Sequence, residues 1–152
     1  MNRATLIERI IAHEGDREFP YDDMTGRALR AGDKLIGNVT IGAGINLSAG
    51  LSVTERNFLL NSRISEAIID LDRNAPWWSA LDETRRGVLV EMLFNIGWPK
   101  LSRFGKMFAA LQRRDYQAAA LEMTDSLWAQ QVGQRARTLA GLMRDGDQTP
   151  IA

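Results

Sequence analysis

The chain of 152 residues holds no cysteine and a single histidine, His13. Without cysteine there are no disulfides, no thiolate nucleophile and no cysteine-ligated metal. One imidazole is too few for a typical zinc hydrolase. A Ser–His–Asp mechanism would depend on His13, and no Gly-x-Ser-x-Gly elbow is present. There is no charge of one sign to spare either: 19 basic residues balance 19 acidic ones. That balance gives no electrostatic push toward nucleic acid, whose binders carry a basic surplus to neutralise phosphate. No run approaches the length of about 20 apolar residues that spans a bilayer. The stretch from Met1 to Gly15, interrupted by Arg3, Glu8, Arg9, His13 and Glu14, does not read as a signal peptide.

What is present is an ordinary globular composition, 45% apolar and 25% charged. Leu6, Ile7, Ile10 and Ile11 recur at helical spacing, with Asn2 as a candidate N-cap and Gly15 as a stop, so a helix is expected over residues 2–14. Glu14 then occupies the last turn, an unfavourable place for a negative charge next to the helix dipole. Residues 16–50 are punctuated by six glycines. Runs such as Lys34–Ile36 and Val39–Ile41 suggest strands of a small antiparallel sheet. Ser52 and Glu55 form a capping box ahead of a long helix reaching Asn74, with Pro76 beyond it. Further helices are expected at about 79–97, 101–112, 115–122, 124–129 and 134–144, with a break at Arg113–Arg114.

Glu14 and Asp23 are separated by a helix end, a turn and a strand, a path that can bring two carboxylates face to face. Glycosidic cleavage needs such a pair: one carboxylic acid protonates the leaving oxygen and the other carboxylate assists a water or attacks directly. Two carboxylates among nineteen are a weak signal by themselves, and Asp22 is an alternative to Asp23. Thr40 alone is an ordinary strand residue. Gly42-Ala43-Gly44 lacks the rest of a dinucleotide fingerprint and reads as a tight sheet turn. His13 reads as a surface or core-edge residue. Trp77, Trp78, Trp98 and Trp128 read as core or its rim more readily than as sugar-stacking platforms.

The ordered series is more specific. Glu14-Gly15, Tyr21-Asp22-Asp23-Met24-Thr25-Gly26, Thr40-Ile41-Gly42-Ala43-Gly44, the helix ending Asn74-Ala75, Met92-Leu93-Phe94-Asn95-Ile96-Gly97, Ser126-Leu127-Trp128 and Gln134-Arg135-Ala136-Arg137 together resemble the phage-type lysozymes of glycoside hydrolase family twenty-four. The resemblance implies an α+β lysozyme-like fold in one domain over residues 1–152. An N-terminal sheet lobe (about 13–51) would be joined by a helix (about 52–74) to a helical lobe (75–144) packed with helix 2–14, ahead of a frayed tail, 145–152. It implies an endolysin muramidase that hydrolyses the β-1,4 bond between N-acetylmuramic acid and N-acetylglucosamine with inversion.

Glu14, Asp23 and Thr40 fall on the family's catalytic positions, with the carboxyls about 6.5–9.5 Å apart as inversion requires. Asn46, Phe94 and Asn95 would border the substrate, Phe94 largely in the core, and Arg135 would pair with Glu14. No metal or cofactor is implied. The partner is the peptidoglycan strand, with neither nucleic-acid binding nor membrane insertion. A monomer is expected, held in the host bacterial cytoplasm and acting in the periplasm after a holin-type membrane lesion releases it. A lytic transglycosylase and an inactive wall-binding module are the rival readings. Two departures stand out: the segment between Asp23 and Thr40 is longer than the family pattern, and the neutral charge contrasts with the basic character common in the family.

Overall fold

The Asn2 side chain accepts hydrogen bonds from Ala4 N at 3.0 Å and Thr5 N at 3.3 Å. This satisfies two of the amides that every helix start leaves unpaired. Helix α1 (Arg3–Glu14) follows, and Gly15, at φ 76°, ends it with its N–H on Ile11 O. The computed structural model describes residues 2–147, and within them the expected α+β architecture holds: a small antiparallel sheet near the N-terminus and a helical remainder.

The sheet has three strands in the order β1 (Arg17–Asp22), β2 (Val39–Gly42) and β3 (Ile45–Asn46). Its register pairs Tyr21 with Thr40, Asp22 with Val39 and Thr40 with Asn46, and it shifts between Arg17 and Tyr21. Gly42 and Gly44 have φ 58° and 76°, so the β2–β3 connection is the tight turn that their spacing suggested. Val39–Ile41 is strand as expected, whereas Lys34–Ile36 is not. The Ile36 N–H, which a strand would give to a neighbour, goes instead to Asp22 Oδ2 at 2.7 Å. A side-chain carboxylate has replaced the sheet ladder as partner.

The capping box forms as read. Ser52 N and Oγ donate to Glu55 Oε2 at 2.7 and 2.6 Å, and Glu55 N donates back to Ser52 Oγ at 3.2 Å. Helix α2 (Val53–Asn74) begins there. The chain divides into two compact units between Asn57 and Phe58, within α2.

In the second unit a short 3₁₀ turn at Pro76–Ala80 precedes α3 (Glu83–Ile96). That helix starts later than the expected residue 79 because Asp82 caps it, accepting from Arg85 N at 3.1 Å. Helices α4 (Trp98–Leu101), α5 (Gly105–Gln112), α6 (Tyr116–Thr124), α7 (Leu127–Val132) and α8 (Gln134–Asp145) complete the unit. The break at Arg113–Arg114 is real, Arg114 standing at φ 60°. Leu71, Leu89, Met92, Leu101, Met107, Leu111, Met123 and Met143 are fully buried in one apolar cluster. Trp78 and Trp128 are buried, and Trp77 and Trp98 pack against that cluster.

The tail is better held than expected. Asp145 closes α8, Gly146 is buried, and Asp147 Oδ1 accepts from Thr84 N at 3.0 Å. A methyl group on Gly146 would collide with the Arg85 guanidinium, which itself donates to Met143 O and Arg144 O, both at 2.7 Å. Residues 148–152 of the expected frayed tail lie outside the described residues. Among the described residues, no helix is long and apolar enough to cross a membrane.

Candidate active site

Glu14 reaches its position because α1 is stopped immediately after it. Its side chain is approached by the β2–β3 turn: a methyl group in place of a Gly44 hydrogen would stand 3.1 Å from Glu14 Oε2 and 3.4 Å from its carboxyl carbon. The turn that follows Thr40 by two residues therefore lies against the Glu14 carboxyl, and a glycine is what lets the backbone come so close. A methyl group on Gly42 would likewise stand 3.7 Å from Asp16 Oδ1.

The adjacent aspartates have opposite environments. Asp22 is 2% exposed. Its Oδ1 accepts from Met24 N at 3.0 Å, Gly37 N at 3.1 Å and Thr25 N at 3.3 Å, while Oδ2 takes the Ile36 N–H. These main-chain donors, Ile36 first, hold its carboxyl below the usual range despite burial. Asp22 thus ties the long segment before β2 to the end of β1. Asp23 is exposed. Its oxygens are met by Asn38, whose N donates to Oδ1 at 2.7 Å and whose Nδ2 donates to Oδ2 at 3.0 Å. The main-chain bond from Asn38 and then the side-chain one keep Asp23 below the ordinary carboxylate range, against desolvation and the neighbouring Asp22 charge.

Thr40 is buried at 4% exposure, between Tyr21 on β1 and Asn46 on β3. Its Oγ1 lies 3.5 Å from Asn38 O as a donor. Continuing the register beyond Tyr21 and Thr40 brings Asp23 opposite Asn38, with Asp23 N donating to Asn38 O at 3.1 Å. Asn38 therefore links the two, bonding the Asp23 carboxylate and receiving the Thr40 hydroxyl. Glu14, Asp23 and Thr40 are all held within the first unit, by α1, β1 and β2 with its turn.

Of the remaining predicted site residues, Asn46 pairs with Thr40 in the sheet, whereas Phe94, Asn95 and Arg135 lie in the second unit. Asn46 caps the short 3₁₀ helix Leu47–Ala49, accepting from Ser48 N at 2.9 Å. Phe94 is 47% exposed, not largely core as expected, because the buried stripe of α3 passes through Met92 and Leu93 instead. Asn95 Oδ1 accepts from Trp128 Nε1 at 2.8 Å. Trp128 in turn lines a cavity of about 510 Å³ with Phe104, Met107 and Ser126. Arg135 forms its ion pair with Glu91, Nε at 3.0 Å and Nη2 at 2.9 Å from Oε1. His13 is exposed.

Sequence reasoning did not single out Asn38 or Gly37. A methyl group on Gly37 would overlap the Asp23 carboxylate and stand 2.8 Å from Met24 Cβ and 2.9 Å from Asp22 Oδ1. An asparagine or glycine in a loop is unremarkable until the partner across the neck is known.

Comparison with known proteins places the chain in a family. A protein of Dictyostelium discoideum described as a probable T4-type lysozyme 2 is 24% identical over 99 residues, which is 63% of this chain and 58% of that protein. The chain thus spans less than two thirds of the length of that relative. The family model described as phage lysozyme matches residues 12–146, a span that takes in Glu14, the whole sheet and every helix from α2 to α8. On that match, the chain belongs to the phage lysozyme family.

Proposed function

We propose that the protein is a lysozyme that hydrolyses the β-1,4 bond between N-acetylmuramic acid and N-acetylglucosamine in peptidoglycan, with inversion. Glu14 is the general acid that protonates the glycosidic oxygen. Asp23, with Thr40, holds the attacking water on the opposite face of the sugar, and takes its proton. The observation that carries this reading is the convergence of one compact unit on the two carboxyls. The Gly42–Gly44 turn closes on Glu14, while Asn38, at the entry to the strand that carries Thr40, bonds the Asp23 carboxyl and receives the Thr40 hydroxyl. Asp23 suits the base role because its hydrogen bonds favour the ionised form and it stays exposed to water.

Asn46, Phe94 and Asn95 are proposed to border the glycan, and Arg135 is proposed as the supporting cation that the resemblance implies, its ion pair in the structure being with Glu91. The proposed setting is lysis of a bacterial host by a monomer that reaches the wall from the cytoplasm through a holin-type membrane lesion.

The test follows the turbidity of chloroform-treated Gram-negative cells with wild type and Glu14→Gln. General acid catalysis contributes about 10²–10⁴-fold, so the variant should lose activity on that scale while melting normally. Cleavage in ¹⁸O-water should label the new reducing end. An unlabelled anhydro product would establish a transglycosylase instead, and wall binding without clearing by wild type would establish an inactive module.

A further inference from the structure

The segment 24–37 leaves the sheet after β1 and returns to it at β2, and its two ends meet at Asp23 and Asn38. Three hydrogen bonds join these two residues: Asp23 N to Asn38 O at 3.1 Å, Asn38 N to Asp23 Oδ1 at 2.7 Å and Asn38 Nδ2 to Asp23 Oδ2 at 3.0 Å. Asn38 O also receives the Thr40 hydroxyl at 3.5 Å. One residue therefore touches both groups assigned to the water. A carboxylate has about four lone-pair sites. Asn38 fills one on each oxygen of Asp23, which fixes the plane of the carboxylate and, with the lesser main-chain bond from Met24, still leaves lone-pair capacity for another donor. Asp22 differs: its carboxylate is buried and already receives four main-chain donors.

We propose that Asn38 is a positioning residue, which clasps the Asp23 carboxylate by both oxygens and links it to Thr40, so that the remaining lone pairs of Asp23 are aimed at the hydrolytic water. This rests on the lysozyme reading of Asp23. The residue type is constrained by the geometry. Its side chain must donate, which aspartate does not do, and must reach the second oxygen while its own main-chain N–H reaches the first. Gly37 is part of the device, since any side chain there would stand in the carboxylates. The charged group facing Asp23 is Asp22, which opposes ionisation of Asp23, whereas both bonds from Asn38 favour it.

The test uses the full chain with Asn38→Ala and Asn38→Ser, both of which keep the main-chain donor and lose the bond to Oδ2. Three quantities are measured: the melting temperature, the titration of the Asp23 carboxyl by carbon NMR, and kcat and KM against pH on soluble peptidoglycan oligomers. A group displaced at the reacting centre typically costs up to about 10²-fold. The expected result is a fall in kcat of about ten- to hundredfold with KM within about twofold. Asp23 should titrate at higher pH, and the acid limb of kcat should move the same way. Should Ala fail to fold, Ser carries the same comparison. An unmoved Asp23 titration with kcat within about twofold of wild type overturns the proposal. A titration that moves without any change in the kcat profile overturns the positioning role too, and locates the failure in the assignment of Asp23 rather than in the clasp.

Discussion

Asp22 and Asp23 are chemically identical neighbours with different partners, and the difference lies in where their hydrogen bonds originate. Asp22 receives main-chain N–H groups from both ends of a loop, so its loss would remove the one buried acceptor that four of them share. Unmade hydrogen bonds of that kind cost more than made ones contribute. Asp23 receives its main donors from one exposed residue, Asn38, and a lesser one from the Met24 main chain. Asp22→Ala should therefore lower the melting temperature markedly and scatter the amide resonances of Ile36 and Gly37. Asp23→Ala should melt close to wild type and abolish wall hydrolysis. Paired thermal denaturation and turbidity assays check this, and equal melting of the two variants would remove the distinction. The sequence Asp22-Asp23 left both candidates open. Only the fold reveals which one faces the amides of residues 36 and 37.

At the level of elements, the turn between β2 and β3 is the most constrained piece. Gly44→Ala would force an L-residue to φ 76°, a strain of about 1–3 kcal/mol. It would also press a methyl group to 3.1 Å from the Glu14 carboxyl. Activity should fall by more than the stability loss explains, measured as kcat on a variant shown to be folded at the assay temperature; a fully active, merely less stable variant would place the turn outside the site. Much at this scale was legible in the sequence, because end signals act locally. Asn2 and Gly15 bound α1, Ser52 and Glu55 start α2, and the glycines of the turn stand where they were read. The errors arose where a distant group intervened. Lys34–Ile36 has the residues of a strand, but the Asp22 carboxylate takes the Ile36 amide from fourteen residues away. The start of α3 was misplaced because Pro76–Ala80 makes a 3₁₀ turn of its own before the Asp82 cap.

Across the whole molecule, the two units are stabilised by different means. The second carries a cluster of buried apolar side chains running from Ala67 to Met143. Among the described residues of the first, Tyr21 is the only buried apolar side chain, and the buried polar pair Asp22 and Thr40 lies beside it. Hydrogen-bonded carboxylates therefore carry a larger share of the order in the first unit: Asp22 through Ile36 and its other main-chain donors, Asp23 through Asn38 and Glu55 through Ser52 all stand below their usual ranges. A carboxyl lowered on folding contributes stability that is complete above its unfolded value, about 4, and that is lost as the pH falls through the folded one. In the second unit Asp145 is lowered by Arg144, and at Asp82 burial, the largest single influence, raises the carboxyl but is outweighed by the combined bonds and charge of Arg85; the apolar cluster there does not titrate. Acid should consequently open the first unit before the second. All four tryptophans, Trp77, Trp78, Trp98 and Trp128, lie in the second, so their fluorescence reports that unit alone, while the Ile36 and Gly37 amides report the first. On titration below about pH 4, those amides should lose their native shifts while the tryptophan emission is still native. Coincident transitions would instead show that the chain unfolds as one cooperative body, with the carboxylate clamps no weaker than the core.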